Sequence, residues 1–159
     1  MSREILFKAK RIDNGEWVEG SYYKQDYFYG DEVEKHIIIT SSDALTNDFD
    51  LDFYEVIPET LGQFTGLTDK NGKRIFEGDI ICANTVDTNT SRIATVGFGN
   101  FIDANNDDEY LGFYIEFDSI KTTITQLNLE ILKNRFEVIG NIHDNGELLT
   151  AERSDNENQ

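Results

Sequence analysis

Three Asn-Gly pairs, Asn14-Gly15, Asn71-Gly72 and Asn145-Gly146, fall where apolar segments of the chain end. Both residues accept positive φ, which a two-residue hairpin turn needs at its central positions, so Asn-Gly between apolar runs signals a hairpin. The first pair separates EILFKAKRI from EWVEGSYY. In the former, Ile5, Phe7 and Ala9 alternate with Leu6, Lys8 and Lys10, as in a strand with one better-buried face. Trp17 and Val18 open the return strand, and YFY (27–29) and HIII (36–39) read as further short strands. A strand over residues 53–57 ends before Pro58 and Gly62. Residues 64–67, the pairs Ile75-Phe76 and Ile80-Ile81, and residues 93–98, 110–117 and 137–144 supply the rest. Residues 100–109 read as a polar loop, and Leu127, Ile131 and Leu132 suit a short helix or turn near 126–134. The last stretch, AERSDNENQ, lacks an apolar anchor and is expected to be mobile. Many short strands with glycine turns predict a mainly β protein, a small barrel or sandwich.

Composition agrees with a folded core. Only 38% of the 159 residues are hydrophobic, but 11 Phe, 7 Tyr and 1 Trp bring large areas per side chain. A single cysteine, Cys82, excludes an internal disulfide and any Cys-rich zinc site, and reads as a small buried hydrophobe. No apolar run approaches the length of a membrane span, and MSREILFKAK lacks the apolar stretch of a secretory signal. A soluble intracellular protein with no membrane contact is expected.

The charge is lopsided: 14 Lys+Arg against 31 Asp+Glu give a formal net charge of −17. Residues 41–64 hold six acidic and no basic side chains, and residues 93–120 repeat that count. Nucleic-acid affinity comes largely from Lys and Arg displacing counterions, so direct DNA or RNA binding is disfavoured. Asp48, Asp50, Asp52, Asp103, Asp107, Asp108 and Glu109 are the expected acidic surface. It serves solubility, or a host or phage protein with a basic face.

Three blocks, REILFKAKRIDNGEWVEG, QFTGLTDKNGKRIFEGDII and FEVIGNIHDNGELL, resemble the YopX family of phages and prophages of Gram-positive bacteria. They occur in the family's order and frame residues 3–149. The family pattern carries a proline where Gly146 stands. The resemblance implies a mainly β protein: an N-terminal β extension with a variable acidic segment (1–63), an SH3-like barrel (64–149) and a tail (150–159). It implies no activity, catalytic residue or cofactor, so function must be argued from sites.

The central block is explicable as turn chemistry. Gly66, Gly72 and Gly78 stand where the chain turns, and glycine avoids a Cβ clash at positive φ. Asp69, two residues before Asn71, suits an Asx turn, and Asp79 suits the turn at Glu77-Gly78.

Other constellations are weaker. Asp48, Asp50 and Asp52 with Glu59 match carboxylate positions of an EF-hand loop, but Phe53 stands where the bend needs glycine. The alternation of Phe49, Leu51 and Phe53 instead describes the apolar face of a half-exposed strand. Asp103 to Glu109 lacks both the bend glycine and the twelfth-position Glu, where Tyr114 stands. His36 reads as a structural or rim residue. His143 beside Asp144, or Glu77 with Asp79, is the weak material for an acid/base or metal-dependent hydrolase. No phosphate loop, nucleophile elbow or zinc motif is present.

Trp17, Tyr22, Tyr23, Tyr27 and Tyr29 form a candidate interface, since aromatics are enriched at binding hot spots and alternation turns some outward. The expectation is a noncatalytic phage or prophage accessory protein of the host cytoplasm. It self-associates and binds proteins without a cofactor. The alternatives are an acidic mimic of nucleic acid that inhibits a host protein, and an enzyme.

Overall fold

The computed structural model describes residues 4–28, 30–41, 51–84, 91–117, 120–123 and 135–149. The predicted helix or turn near 126–134, the tail, Tyr29, Asp48 and Asp50 lie outside the described residues, as does the side chain of Tyr27. The chain forms two compact units, Met1–Phe64 and Thr65–Gln159. The boundary falls inside one strand.

In the first unit, β1 (Phe7–Lys10), β2 (Trp17–Phe28), β3 (Asp31–Ser41) and β4 (Leu51–Glu55) form an antiparallel meander in the order β4-β3-β2-β1. The beginning of β5 (Gly62–Thr68) pairs with β1. Ala9, Ile38 and Val56 are fully buried, and Phe7, Val18, Tyr22, Tyr54 and Leu61 pack against them. These side chains come from alternate positions, as a sheet with one covered face requires. A single 3-10 turn, Pro58–Thr60, follows β4, with Thr60 Oγ1 accepting the Lys10 N–H at 2.9 Å.

The Asn14-Gly15 turn is wider than the tight pair predicted. The Arg11 N–H donates to the Glu16 carbonyl and the Gly15 N–H to the Arg11 carbonyl, closing a four-residue loop. Only Gly15 has positive φ, 72°, so the two-residue geometry, which needs it twice, is not adopted. Asn14 instead receives the Glu16 N–H on its side-chain oxygen.

In the second unit the end of β5 leads to β6 (Arg74–Phe76). There follow β7 (Asp79–Asn84), β8 (Ser91–Ile102), β9 (Glu109–Phe117), β10 (Ile120–Thr123) and β11 (Phe136–Asn141). The last five make an antiparallel sheet in the order β10-β9-β8-β7-β11. Ile75, Ile81, Ala94, Val96, Ile115, Phe136 and Val138 form its core, with Leu67 and Phe117 packed alongside. Mainly β architecture is therefore as expected. Among the described residues the sheet does not close into a barrel, since β10 and β11 stand at the two ends of its strand order. The predicted polar loop is also shorter, residues 103–108, because β8 continues to Ile102 and β9 begins at Glu109. The third Asn-Gly pair makes no hairpin. Gly146 lacks positive φ, and the Leu148 N–H bonds back to the Asn145 carbonyl at 3.0 Å.

Candidate functional site

The best-marked segment of the sequence builds the second unit. Asp69 is 3% exposed. One carboxylate oxygen accepts the N–H groups of Asn71 (2.8 Å) and Lys73 (2.9 Å), and the other accepts the Val138 N–H (3.0 Å). The Lys70 N–H adds a bond to the Phe136 carbonyl at 3.0 Å. The 69–73 turn, with Gly72 at φ 82°, is thereby fastened along the outer side of β11. Burial pushes the Asp69 carboxyl up, but the N–H groups of Val138, Lys73 and Asn71 outweigh it and hold the group below its ordinary range.

Asp79 is fully buried. Its carboxylate accepts the Phe76 N–H (2.8 Å) and the side-chain amide of Asn141 (3.1 Å), and Asn141 in turn accepts the His143 N–H at 3.0 Å. Gly78, at φ 82° and with Asn141 and Ile142 beside it, completes that junction. The remaining motif glycine, Gly66, has φ 88° within β5. The sequence-predicted enzyme residues are thus placed as follows. Asp79 is committed to hydrogen bonds, Glu77 is half-buried, and His143 is exposed, its backbone N–H joined to Asp79 through the Asn141 side chain. Among the described residues no group of three His, Cys, Asp or Glu side chains is arranged to hold a metal ion.

The candidate acidic surface needs a correction. Asp103 is 2% exposed. It accepts the backbone and side-chain N–H groups of Asn105 at 2.8 and 2.9 Å, so it scaffolds the β8–β9 loop rather than facing solvent. Asp52, Asp107, Asp108 and Glu109 are exposed. Asp107 has φ 59°, a left-handed conformation that Asp tolerates in loops.

The aromatic candidates separate. Trp17 is half-buried with the Lys8 and Lys10 ammonium groups 4.9 and 5.9 Å from its ring centroid. Half-buried Tyr22 packs on Phe7, and its hydroxyl lies 2.6 Å from Nδ1 of His36. The other ring nitrogen of His36 lies 3.4 Å from Glu34, which also pairs with Lys24. The Lys24 ammonium first, and His36 second, hold Glu34 below the usual carboxylate range. Among the described side chains of this group, Tyr23 is the exposed one, at 53%.

Two apolar faces are exposed among the described residues; the sequence offered parts of the first, Tyr23 as an interface candidate and Leu51 and Phe53 as an apolar strand face, and gave no sign of the second. The first lies in the N-terminal sheet, where residues directly paired across strands share a face. Tyr23 pairs with Ile37, Ile39 pairs with Phe53, and Ser41 pairs with Leu51. Phe53 and Leu51 on the terminal strand are 62% and 52% exposed.

The second face lies on β8 and β9. Val96 pairs with Ile115, Phe98 with Phe113, Asn100 with Leu111 and Ile102 with Glu109, so all share the face that carries the core. β7 pairs with β8 only as far as Thr95, and the two long strands run on as a ribbon. Burial fades along it: Val96 is 2% exposed, Phe98 45%, Ile102 59% and Leu111 71%. On the opposite side Phe101 stacks on Tyr110 and contacts Tyr114. A shallow groove of about 410 Å³ at the ribbon's end is lined by Asn100, Phe101, Ile102, Glu109, Tyr110 and Leu111. The length mismatch between β7 and β8 was the only available signal, and it is invisible until strands are paired.

The sequence profile described as YopX protein matches residues 6–150. The chain belongs to the YopX family. A crystal structure of protein EF1440 from Enterococcus faecalis is similar, with 23% identity and a TM-score of 0.52. That similarity covers 93% of this chain and 99% of the other, and it speaks to the fold alone. No curated protein matches this chain. Among the described residues no helix is long and apolar enough to cross a membrane.

Proposed function

We propose that this YopX protein is a noncatalytic, phage- or prophage-encoded accessory protein of the bacterial cytoplasm that works through protein contacts. Its first contact is a second copy of itself. The observation that carries this reading is the ribbon formed by residues 96–102 and 109–115, whose core face continues outward uncovered as Phe98, Ile102 and Leu111. A two-stranded ribbon is marginally stable alone, and an uncovered apolar face is a contact site by default. Two copies meeting through this face would cover both. The engagement of both Asp79 oxygens supports a structural rather than acid/base role for the motif.

Sedimentation velocity over a concentration series tests the proposal. Concentration-dependent dimers that Leu111→Asp abolishes, with the far-ultraviolet spectrum unchanged, are the expected result. A wild-type monomer at every concentration would overturn it.

A second reading has its own observation. Asp107, Asp108 and Glu109 project at the ribbon's tip within a stretch free of Lys and Arg, as a mimic of nucleic acid aimed at a basic groove would require. Binding to such a partner would weaken steeply with salt, whereas contact through the apolar face would not.

A further inference from the structure

The terminal strand of the N-terminal sheet carries a second, independent surface. β4 is the last strand in its sheet order, and its inner side is fully used by β3. The Val56 N–H donates to the His36 carbonyl at 2.8 Å, which fixes the phase of the ladder. By alternation, Asp52 and Tyr54 turn their backbone groups toward β3, and Leu51 and Phe53 turn theirs to the outer edge. At the end of β4 that edge is already taken, because the Glu55 carbonyl accepts the Ile12 N–H and the Ile57 N–H donates to the Lys10 carbonyl. Leu51 and Phe53 have no backbone partner on this side among the described residues.

The side chains alternate in chemistry along the same edge. Leu51 and Phe53 lie on one face with Ile39, Ile37 and Tyr23, closed at its end by the Lys35–Glu55 ion pair. Asp52 lies on the other face and is exposed. The sequence around it, residues 41–64, has six acidic side chains and no basic one. An added antiparallel strand places each of its residues opposite one of these, on the same face. A second copy of β4 laid antiparallel in the register that pairs Leu51 with Phe53 would set Asp52 opposite Asp52, and like charges opposite each other in a sheet are destabilising.

We infer that the β4 edge accepts an extended segment of another protein whose residues alternate apolar and basic, the apolar ones covering Leu51 and Phe53 and the basic ones meeting Asp52. This surface is distinct from the β8–β9 ribbon and does not depend on it.

The test uses the full chain and a synthetic twelve-residue peptide alternating valine and lysine, with three comparison peptides or variants. One peptide alternates valine and glutamate. Another is the valine–lysine peptide N-methylated at every residue, which cannot donate to an edge. Phe53→Pro removes the outward N–H and leaves the β3 ladder intact, a position where a strand tolerates proline. The expected result is salt-sensitive binding of the valine–lysine peptide, at least tenfold weaker for each comparison, with Leu111→Asp binding like wild type. Equal binding of the N-methylated or valine–glutamate peptide would overturn the proposal, as would binding unaffected by Phe53→Pro. No peptide binding, together with a wild-type dimer that Phe53→Pro dissociates, would assign the edge to a second copy instead.

Discussion

Removing the Asp69 carboxylate should loosen β11 specifically, by an amount the structure allows us to work out. Asp69→Ala strips acceptors from three backbone N–H groups. Those of Asn71 and Lys73 belong to exposed residues, so water replaces most of what they lose. Val138 is 8% exposed, and its N–H would be left without a partner. An unsatisfied buried donor costs about 1–3 kcal/mol, and each hydrogen bond to a charged acceptor contributes about 1.5–3 kcal/mol. With the exposed pair discounted for water, the loss should be about 3–5 kcal/mol, a large share of the roughly 5–15 kcal/mol that holds a domain folded. Asp69→Asn keeps one acceptor oxygen but turns an NH₂ toward the Val138 N–H, so it should cost about 2 kcal/mol or more. The assay is urea unfolding followed by circular dichroism, with amide exchange at Val138 to localise the effect.

The pH dependence gives the sharper check. The folded carboxyl titrates below its ordinary value of 3.8, so its stabilisation is complete above that value and disappears as pH falls through the folded pKa. The gap between wild type and Asp69→Ala should stay constant from neutral pH to about 4 and narrow below it. A loss under about 1 kcal/mol, or a gap indifferent to acid, would refute the clamp.

Other expectations follow from the same geometry. Gly78→Val places a β-branched residue at φ 82° against Asn141 and Ile142, and should lower stability by about 2 kcal/mol or more by thermal unfolding. Unchanged melting would show that the 77–78 turn relaxes freely. Asn141→Ala removes the amide that Asp79 accepts inside the protein, and a loss of about 2 kcal/mol is expected in the same assay. Tyr22→Phe deletes only the hydroxyl near His36 on a half-buried face, and should cost about 1 kcal/mol. A loss as large as that of Asn141→Ala would mean that the Tyr22–His36 contact organises the N-terminal sheet.

The sequence revealed strands more readily than surfaces. Trp17, Ile75-Phe76 and Ile80-Ile81 lie in the strands their apolar character predicts, because hydropathy alternation and glycine placement are local properties. Asp69 and Asp79 were legible as turn residues, but their reach was not. Val138 is 69 positions from Asp69, and Asn141 is 62 from Asp79. Nothing local distinguishes a carboxylate that caps its own turn from one that also fastens a distant strand. Asp103 shows the converse, since an aspartate in NFIDANNDDE looks solvated until the loop folds around it. Phe98, Leu111 and Phe53 are legible as apolar strand residues, but their exposure is not. Whether an apolar strand face is covered depends on where the neighbouring strand stops. β7 pairs with β8 no further than Thr95, and no pattern within β8 records that limit.

Fluorine resonance of 4-fluorophenylalanine in the full chain, followed over a dilution series, tests most directly whether the uncovered ribbon is the working surface. The account predicts that the Phe98 and Phe113 signals shift with concentration, while that of Phe76, 1% exposed in the interior, stays fixed. Signals at Phe98 and Phe113 that ignore concentration across the micromolar to millimolar range would contradict it.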